Sequence, residues 1–237
     1  MSKEREGGSI TQHSVLSPHH YSLPWTATTR EQTLIVRLPE LYRVLSWAPL
    51  GGGFGAARTI VNHQVRTDED FPQEPEVFLR TLARRFNLVI PVVGLMTGVN
   101  MERLVHRVEQ RGSFTLECFA TVGLSNALAA GDPATYEENP GTINLITVVN
   151  SSLTAAALVE AVAIATEAKV RALYAVGIKS TVSEASATGT GTDCVAIACP
   201  PGESAYRYCG KHTRLGESLG RVVYEAVAEG LQRALLS

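Results

Sequence analysis

The chain has 237 residues, of which 45% are hydrophobic and 19% charged, and its formal net charge is −2. This length predicts one folded domain with a core large enough to need no disulfide framework. The lack of a basic field argues against nucleic acid or an anionic membrane surface as a partner. Because the chain starts with polar residues and contains no run of about 18 apolar residues, we expect a cytoplasmic protein.

The first 28 residues show no hydrophobic periodicity and predict a flexible N-terminal tail, followed by a folded domain at 29–237. Strands are predicted at 33–38, 41–47 and 58–65. Between the second and third lies GGGFGA at 51–56, which superficially fits the dinucleotide fingerprint. That fingerprint needs a helix directly after the glycines. A β-branched run follows here instead, so a dinucleotide site is not predicted.

The rest of the chain alternates helical and strand-like patterns. Helices are predicted from Pro75 to 86, at 153–169 with residues 150–152 supplying the cap, and after an N-cap at Thr213; strands are predicted at 88–95, 113–122, 143–149, 172–177 and 194–198. Residues 101–110 fit a helix or a strand. The connections at 123–141 and 179–192 are long and polar, which is typical of functional loops.

Strand, glycine-bearing loop, strand, helix and strand follow one another in each half of the chain. This order predicts an α+β fold. We expect a single domain with a mixed or mainly antiparallel sheet, which could be pseudo-duplicated, with helices packed on it.

The most informative stretch is TGTGTD at 188–193, immediately before the apolar strand at 194–198. Two glycines allow successive backbone N–H groups to point into one concavity, and three threonines add hydroxyl groups. Asp193 adds a carboxylate at the end of the row. Such a loop can hold an anion or a developing oxyanion.

Four further motifs precede this loop in order: TVGLSN at 121–126, GD at 131–132, PGTIN at 140–144 and TEAK at 166–169. Together the five resemble the adenosylcobinamide amidohydrolase family, CbiZ, and the similarity extends from about Leu45 to the final helix. The resemblance implies a hydrolase of corrinoid salvage that cleaves the amide joining aminopropanol to the corrin ring of adenosylcobinamide. The product would be adenosylcobyric acid, a precursor of cobalamin. Cobalt would enter within the substrate, and no cofactor would be required.

Hydrolysis of an unactivated amide needs a nucleophile, donors for the oxyanion and a proton for the leaving amine. The candidate catalytic residues are Asp193, Glu167, Lys169, Thr190 and His212. Asp193 or Glu167 would act as the base for water, and Lys169 or His212 would protonate the amine. The amides of residues 189–192 would stabilise the oxyanion.

Three other chemistries could also break an amide bond. A threonine freed by self-cleavage after Gly141 or Gly189 would be a nucleophile with its own amine as base. A metal site is not predicted, because there is no H-E-x-x-H and the histidines are dispersed. The cysteines show no C-x-x-C spacing and three lie in or beside apolar runs, so buried thiols are expected.

A corrin ring is large, flat and edged with amides, so it needs a broad cleft lined by amide and carbonyl partners. The candidate substrate-binding residues are Asn126, Asp132, Asn144, Asn150, Thr188, Thr192, Gly52 and Gly53. The expected partner is the small-molecule corrinoid, and a homo-oligomer is compatible with the sequence. A corrinoid carrier without hydrolytic activity is the alternative from another functional class, and a nucleotide-dependent transferase is a further one.

Overall fold

The computed structural model describes residues 23–65, 74–134, 141–203 and 206–236. The first strand begins at Thr26, so the fold starts before residue 29, where the sequence placed it. Residues 1–22 of the predicted tail lie outside the described ranges. The strands are β1 (Thr26–Arg30), β2 (Thr33–Ser46), β3 (Gly53–Gln64), β4 (Val92–Thr97), β5 (Val105–Arg111), β6 (Phe114–Val122), β7 (Ala127–Leu128), β8 (Ile143–Val149), β9 (Gly189–Thr190) and β10 (Cys194–Cys199); the α-helices are α1 (Pro75–Arg85), α2 (Ala155–Val176) and α3 (Arg214–Leu235).

Eight of these strands form one mixed sheet in the order β4-β3-β2-β10-β8-β6-β5, with β1 paired to β2. The pairs β3–β4 and β8–β10 are parallel, and each is joined through one helix. The other pairs of this sheet are antiparallel. The predicted α+β class and mixed sheet are therefore confirmed, and each half contributes one strand–helix–strand unit.

The sheet folds over itself. Its register shifts between Arg37 and Tyr42, within β2, which lets that long strand belong to both halves. The side chain of Asn144 on β8 donates to that of Asn62 on β3, although β2 and β10 separate the two strands in the sheet. Helices α2 and α3 therefore cover one outer face, α1 covers the other, and two strand layers lie between them.

Each layer boundary is apolar. Leu145, Ile197 and Val223 belong to the cluster between α2, α3 and the sheet. Phe119 and Ile146 belong to the cluster between the two strand layers. This alternation along β8 and β10, with odd residues facing the helices and even residues facing the other strands, follows from the period of two in a strand.

Three predictions of local structure are corrected. The strands expected at 33–38 and 41–47 are one strand, β2. The strand expected at 172–177 is the last turn and a half of α2, which ends at Gly177 with φ +74°; a short apolar run does not distinguish the two structures by periodicity. The cap of α2 is Thr154, whose Oγ1 accepts from the Ala157 N–H at 3.1 Å, and not residues 150–152. The predicted cap of α3, Thr213, is confirmed.

One edge of the sheet collects most of the predicted polar residues. Strands β8 and β10 begin there side by side, with Asn144 opposite Cys194, and β6 ends there, with Thr121 opposite Asn144. Strand β2 ends there too, with Ser46 opposite Ala196. We call this the site edge. Helix α2 runs back toward it after β8, which brings its C-terminal half near the start of β10.

Candidate active site

The loop at 188–193 lies on the site edge, and backbone hydrogen bonds join it to residues 126–128. Strand β9 within it pairs with β7, and the Gly191 N–H donates to the carbonyl of Asn126 at 3.1 Å. A Cβ on Gly191 would lie 2.7 Å from Nδ2 of the Asn126 side chain, so a larger residue here would displace that side chain. Because the Gly191 amide already has an acceptor, it is not available as the oxyanion donor that the sequence suggested.

Asp193 is the centre of the site. Its Oδ2 accepts from the Lys169 ammonium, and its Oδ1 accepts from Thr190 Oγ1 at 2.5 Å and from the Ile143 N–H at 3.0 Å. The side chains of Lys169 and Asp193 are only 8% and 9% exposed. The carboxylate therefore ties helix α2, strand β8 and the loop together, and its charge is balanced by a buried ammonium.

The loop has glycine at 189 because the ion pair fills the space beside it. A Cβ at this position would collide with the carboxylate of Asp193 and lie 2.6 Å from Lys169 Nζ. Lys169 lies on the inward face of α2, where its ammonium pairs with Asp193.

Two hydrogen bonds join Thr192 to the segment 141–142 at the start of β8. Thr142 Oγ1 donates to the carbonyl of Thr192 at 2.8 Å, and Thr192 Oγ1 donates to the carbonyl of Gly141 at 3.0 Å. Thr142 is 3% exposed. These bonds hold the hydroxyl groups of Thr142 and Thr192 together with the carbonyl of the Gly141–Thr142 peptide. Asp193 lies next to them, because it accepts from the N–H of Ile143.

A buried amide network lies directly behind Thr142. Asn144 Oδ1 accepts from Thr142 Oγ1 at 3.3 Å, while Asn144 Nδ2 donates to Asn62 Oδ1 at 2.9 Å and to the Met96 carbonyl at 2.7 Å. Asn62 Nδ2 in turn donates to Thr121 Oγ1 at 3.0 Å. Each of these groups is buried and has a partner, which fixes the orientation of Asn144 and joins the two strand layers. Neither Asn62 nor Thr121 is among the site residues predicted from the sequence, although Thr121 begins the motif at 121–126.

Two exposed aromatic side chains lie on the site edge. Trp47 follows β2, is 48% exposed, and donates from Nε1 to the carbonyl of Asp193 at 2.5 Å. Phe54, near the start of β3, is 61% exposed. Gly52 and Gly53 form the turn between these two residues, so the predicted glycine turn is on the same edge as Asp193. The sequence predicts Trp47 only as a strand residue, because its exposure is a property of the tertiary structure.

Asp132 and Thr188 organise the neighbouring loops. Asp132 accepts from Ser180 Oγ and Ser183 Oγ at 2.6 Å and from the Ala129 N–H at 2.7 Å. These hydrogen bonds, that of Ser180 first, lower the pKa of the Asp132 carboxyl. Thr188 Oγ1 accepts from the Ala130 N–H at 2.9 Å. Both residues therefore hold loops 123–134 and 179–192 against each other.

Three predicted residues lie outside the hydrogen-bond network that the structure describes around Asp193. Glu167 forms an exposed ion pair with Lys211 and lines a groove of about 670 Å³ between α2 and α3. His212 is exposed just before α3, next to the Lys211 that pairs with Glu167. Asn150 is at the far end of β8 and accepts from the Thr115 N–H at 2.7 Å. In the part of the chain that the structure describes, the side chain of Glu167 pairs with Lys211 and only that of Lys169 pairs with Asp193. Catalytic roles for Glu167 and His212 therefore stay predictions.

The thiols are not candidates for nucleophiles. Burial raises the pKa of Cys118, Cys194 and Cys209 to about 12, and it also raises the pKa of Cys199. Among the residues that the structure describes, no group of three His, Cys, Asp or Glu side chains could hold a metal ion. In the same residues, no helix is long and apolar enough to cross a bilayer.

The comparisons with known proteins agree with the motifs. The family model for CbiZ, adenosylcobinamide amidohydrolase, matches residues 19–235. The chain belongs to this family. An adenosylcobinamide amidohydrolase of Methanosarcina mazei is 32% identical over 212 residues, which are 86% of this chain and 96% of the relative.

Two further proteins resemble the chain. An uncharacterized protein of Methanocaldococcus jannaschii is 30% identical over 244 residues, covering 89% of this chain and 92% of its own. A solved Burkholderia β-aminopeptidase superposes with a TM-score of 0.45 at 14% identity, covering 88% of this chain and 80% of its own. The latter similarity is too distant to assign a reaction.

Proposed function

We propose that this CbiZ-family protein hydrolyses the amide between aminopropanol and the corrin ring of adenosylcobinamide. The products would be adenosylcobyric acid and aminopropanol, and the acid would re-enter cobalamin synthesis. The observation that carries the proposal is the buried Lys169–Asp193 pair, which holds a threonine-rich loop against the start of β8. A fixed charge pair of this kind, among hydroxyl and amide groups, suits the charge changes of amide hydrolysis.

The positions of the residues around Asp193 suggest their roles in the reaction. Asp193 and Lys169 supply opposite charges beside three threonine hydroxyls, those of Thr142, Thr190 and Thr192. This permits proton transfer to and from a nucleophile and a leaving amine, which an amide requires. Asp132 and Thr188 act as positioning residues for the two loops.

The edge also suits a flat substrate. Trp47 and Phe54 are exposed aromatic groups on either side of the glycine turn, and Trp47 contacts the backbone of Asp193 directly. Aromatic faces pack against planar rings and leave their polar edges in water. The corrin would lie against these residues, with the amide side chain directed to Asp193. Cobalt arrives with the substrate, so the protein needs no resident cofactor for this reaction.

The four cysteines are free and buried. Unpaired thiols are typical of a reducing compartment, which agrees with the cytoplasmic location that we propose.

The test is turnover of adenosylcobinamide, with adenosylcobyric acid and aminopropanol quantified together by mass spectrometry. We expect equal amounts of both from the wild type and none above background from Asp193→Asn. Glu167→Gln is the matched control, because it makes the same chemical change in a carboxylate outside the site, and it should retain wild-type turnover. Binding of adenosylcobinamide without release of aminopropanol would support the carrier instead. Equal loss in Glu167→Gln would contradict the site.

A further inference from the structure

Three Gly-Thr dipeptides occur in the chain, at 141–142, 189–190 and 191–192, and the structure gives their hydroxyl groups different partners. Thr190 donates to the Asp193 carboxylate, and Thr192 donates to the carbonyl of Gly141. Thr142 donates to the carbonyl of Thr192. The hydroxyl of Thr192 thus polarises the carbonyl of the Gly141–Thr142 peptide. The hydroxyl of Thr142 belongs to the residue that directly follows this carbonyl.

We propose that the chain cuts its own Gly141–Thr142 bond, and that Thr142, with its newly freed amine, is the nucleophile of the amide hydrolysis. This inference rests on the proposed function for the identity of the substrate. The cleavage itself does not depend on that identity.

Self-cleavage would proceed through an ester between Gly141 and the hydroxyl of Thr142. Thr142 Oγ adds to the carbonyl carbon of Gly141, and Thr192 Oγ1 donates to the oxygen that gains charge. The C–N bond then breaks, the hydroxyl proton passes to the nitrogen of Thr142, and Gly141 is left as an ester on Thr142. Water hydrolyses the ester, which releases a carboxylate at Gly141 and restores the threonine hydroxyl.

Turnover would repeat the same chemistry on the substrate. The Thr142 hydroxyl adds to the substrate carbonyl while its α-amine takes the proton and passes it to the departing aminopropanol nitrogen. Water then hydrolyses the ester to the corrinoid acid. No other reactant is needed.

The surroundings of Thr142 suit both steps. Asp193 Oδ1 holds the amide of Ile143, one residue from the nitrogen that cleavage would free. The freed amine would therefore lie close to a buried carboxylate, which favours its taking up the hydroxyl proton. Asn144, fixed by Asn62 and Met96, accepts from the Thr142 hydroxyl and orients it. A Cβ on Gly141 would lie 2.6 Å from the Asn126 nitrogen, so the residue before the cut is packed closely against the 121–126 motif.

The burial of Thr142 is also explained. At 3% exposure it cannot meet a corrinoid in the uncut chain. The Gly141 carbonyl occupies the position beside Thr192 Oγ1 where a substrate carbonyl would sit. Cleavage would vacate that position and create the nucleophile in one step.

The first experiment is intact-mass analysis of the full-length wild type under denaturing conditions, with labelling of new N-termini. We expect two fragments, 1–141 and 142–237, with Thr142 as the new N-terminus. Thr142→Ala should remain one chain and show no turnover, whereas Thr142→Ser should be cut at the same bond and remain active. An active, uncut wild type would overturn the inference, as would a new N-terminus at Thr190 or Thr192 or an inactive, uncut wild type.

A second pair of variants tests the donor. Thr192→Val should slow cleavage roughly 100- to 1000-fold, the usual effect of losing one oxyanion donor, and Thr192→Ser should restore it. Equal rates in Val and Ser variants would contradict the role of this hydroxyl. The two proposals fail in different ways. Cleavage at Thr142 without hydrolysis of adenosylcobinamide would support self-cleavage and contradict the proposed substrate. Hydrolysis of adenosylcobinamide by an intact chain would support the substrate and contradict self-cleavage.

Discussion

The buried Lys169–Asp193 pair allows a quantitative test of the site. Asp193→Asn keeps the shape of the side chain and an oxygen acceptor for Thr190 and the Ile143 N–H, but it leaves the 8% exposed Lys169 side chain without a counter-charge. Removing one partner of a buried ion pair costs about 3–5 kcal/mol. For a chain of this size, 1 kcal/mol shifts the melting temperature by about 2–4 °C, so we expect a decrease of roughly 6–20 °C.

The decisive comparison is with Lys169→Met/Asp193→Asn, which removes both charges. This double variant should recover about 1–3 kcal/mol of the free energy of unfolding relative to the sum of the single losses, yet remain inactive. Glu167→Gln breaks the exposed pair with Lys211 and should cost at most about 1 kcal/mol. Urea unfolding at several salt concentrations measures the wild type, the single variants Lys169→Met, Asp193→Asn and Glu167→Gln, and the double variant. A loss below about 1 kcal/mol in Asp193→Asn, or no recovery in the double variant, would refute the reasoning.

Three further predictions concern packing, the amide network and the thiols. Gly189→Ala should force Lys169 and Asp193 apart, costing about 1–3 kcal/mol and most of the activity, whereas Gly55→Ala, where the nearest atom is 3.9 Å from the new Cβ, should be nearly neutral in the same unfolding and turnover assays. Asn144→Ala leaves the acceptors on Asn62 and Met96 without their donor and should cost about 1–3 kcal/mol for each acceptor that water cannot reach, seen as a lower urea midpoint at an unchanged slope; an unchanged midpoint would contradict the network. Because burial raises the pKa of Cys118, Cys194 and Cys209 from 9.0 to about 12, the stabilising protonated thiols are fully present below pH 9 and are lost as pH rises toward 12. Stability should then fall by about 1 kcal/mol per pH unit for each thiol, and a thiol reagent at pH 8 should react with the cysteines only after unfolding; rapid reaction of the native protein would contradict their burial.

The amino-acid sequence determined most of the local structure and the composition of the site. Periodic apolar residues predicted α1, α3 and the strands at 113–122 and 143–149, and the caps and glycines marked their ends. The motif order identified the family, and the residue types in the motifs indicated Lys169, Thr190 and Asp193 as catalytic candidates. The error at 172–177 arose because a short apolar run is compatible with a buried helix or a strand.

Only the tertiary structure decided which of these residues meet. Lys169 and Asp193 are 24 positions apart and Asn62 and Asn144 are 82 positions apart, so their contacts depend on how the sheet folds over itself and on which face of α2 turns inward. Glu167, two residues from Lys169, faces the α2–α3 groove for the same reason. Hydrophobic periodicity records which side of an element is buried, but it carries no information about the partner across the core. Strand order and register set that partner. The sequence therefore supplies the groups of the site, and the fold brings them together.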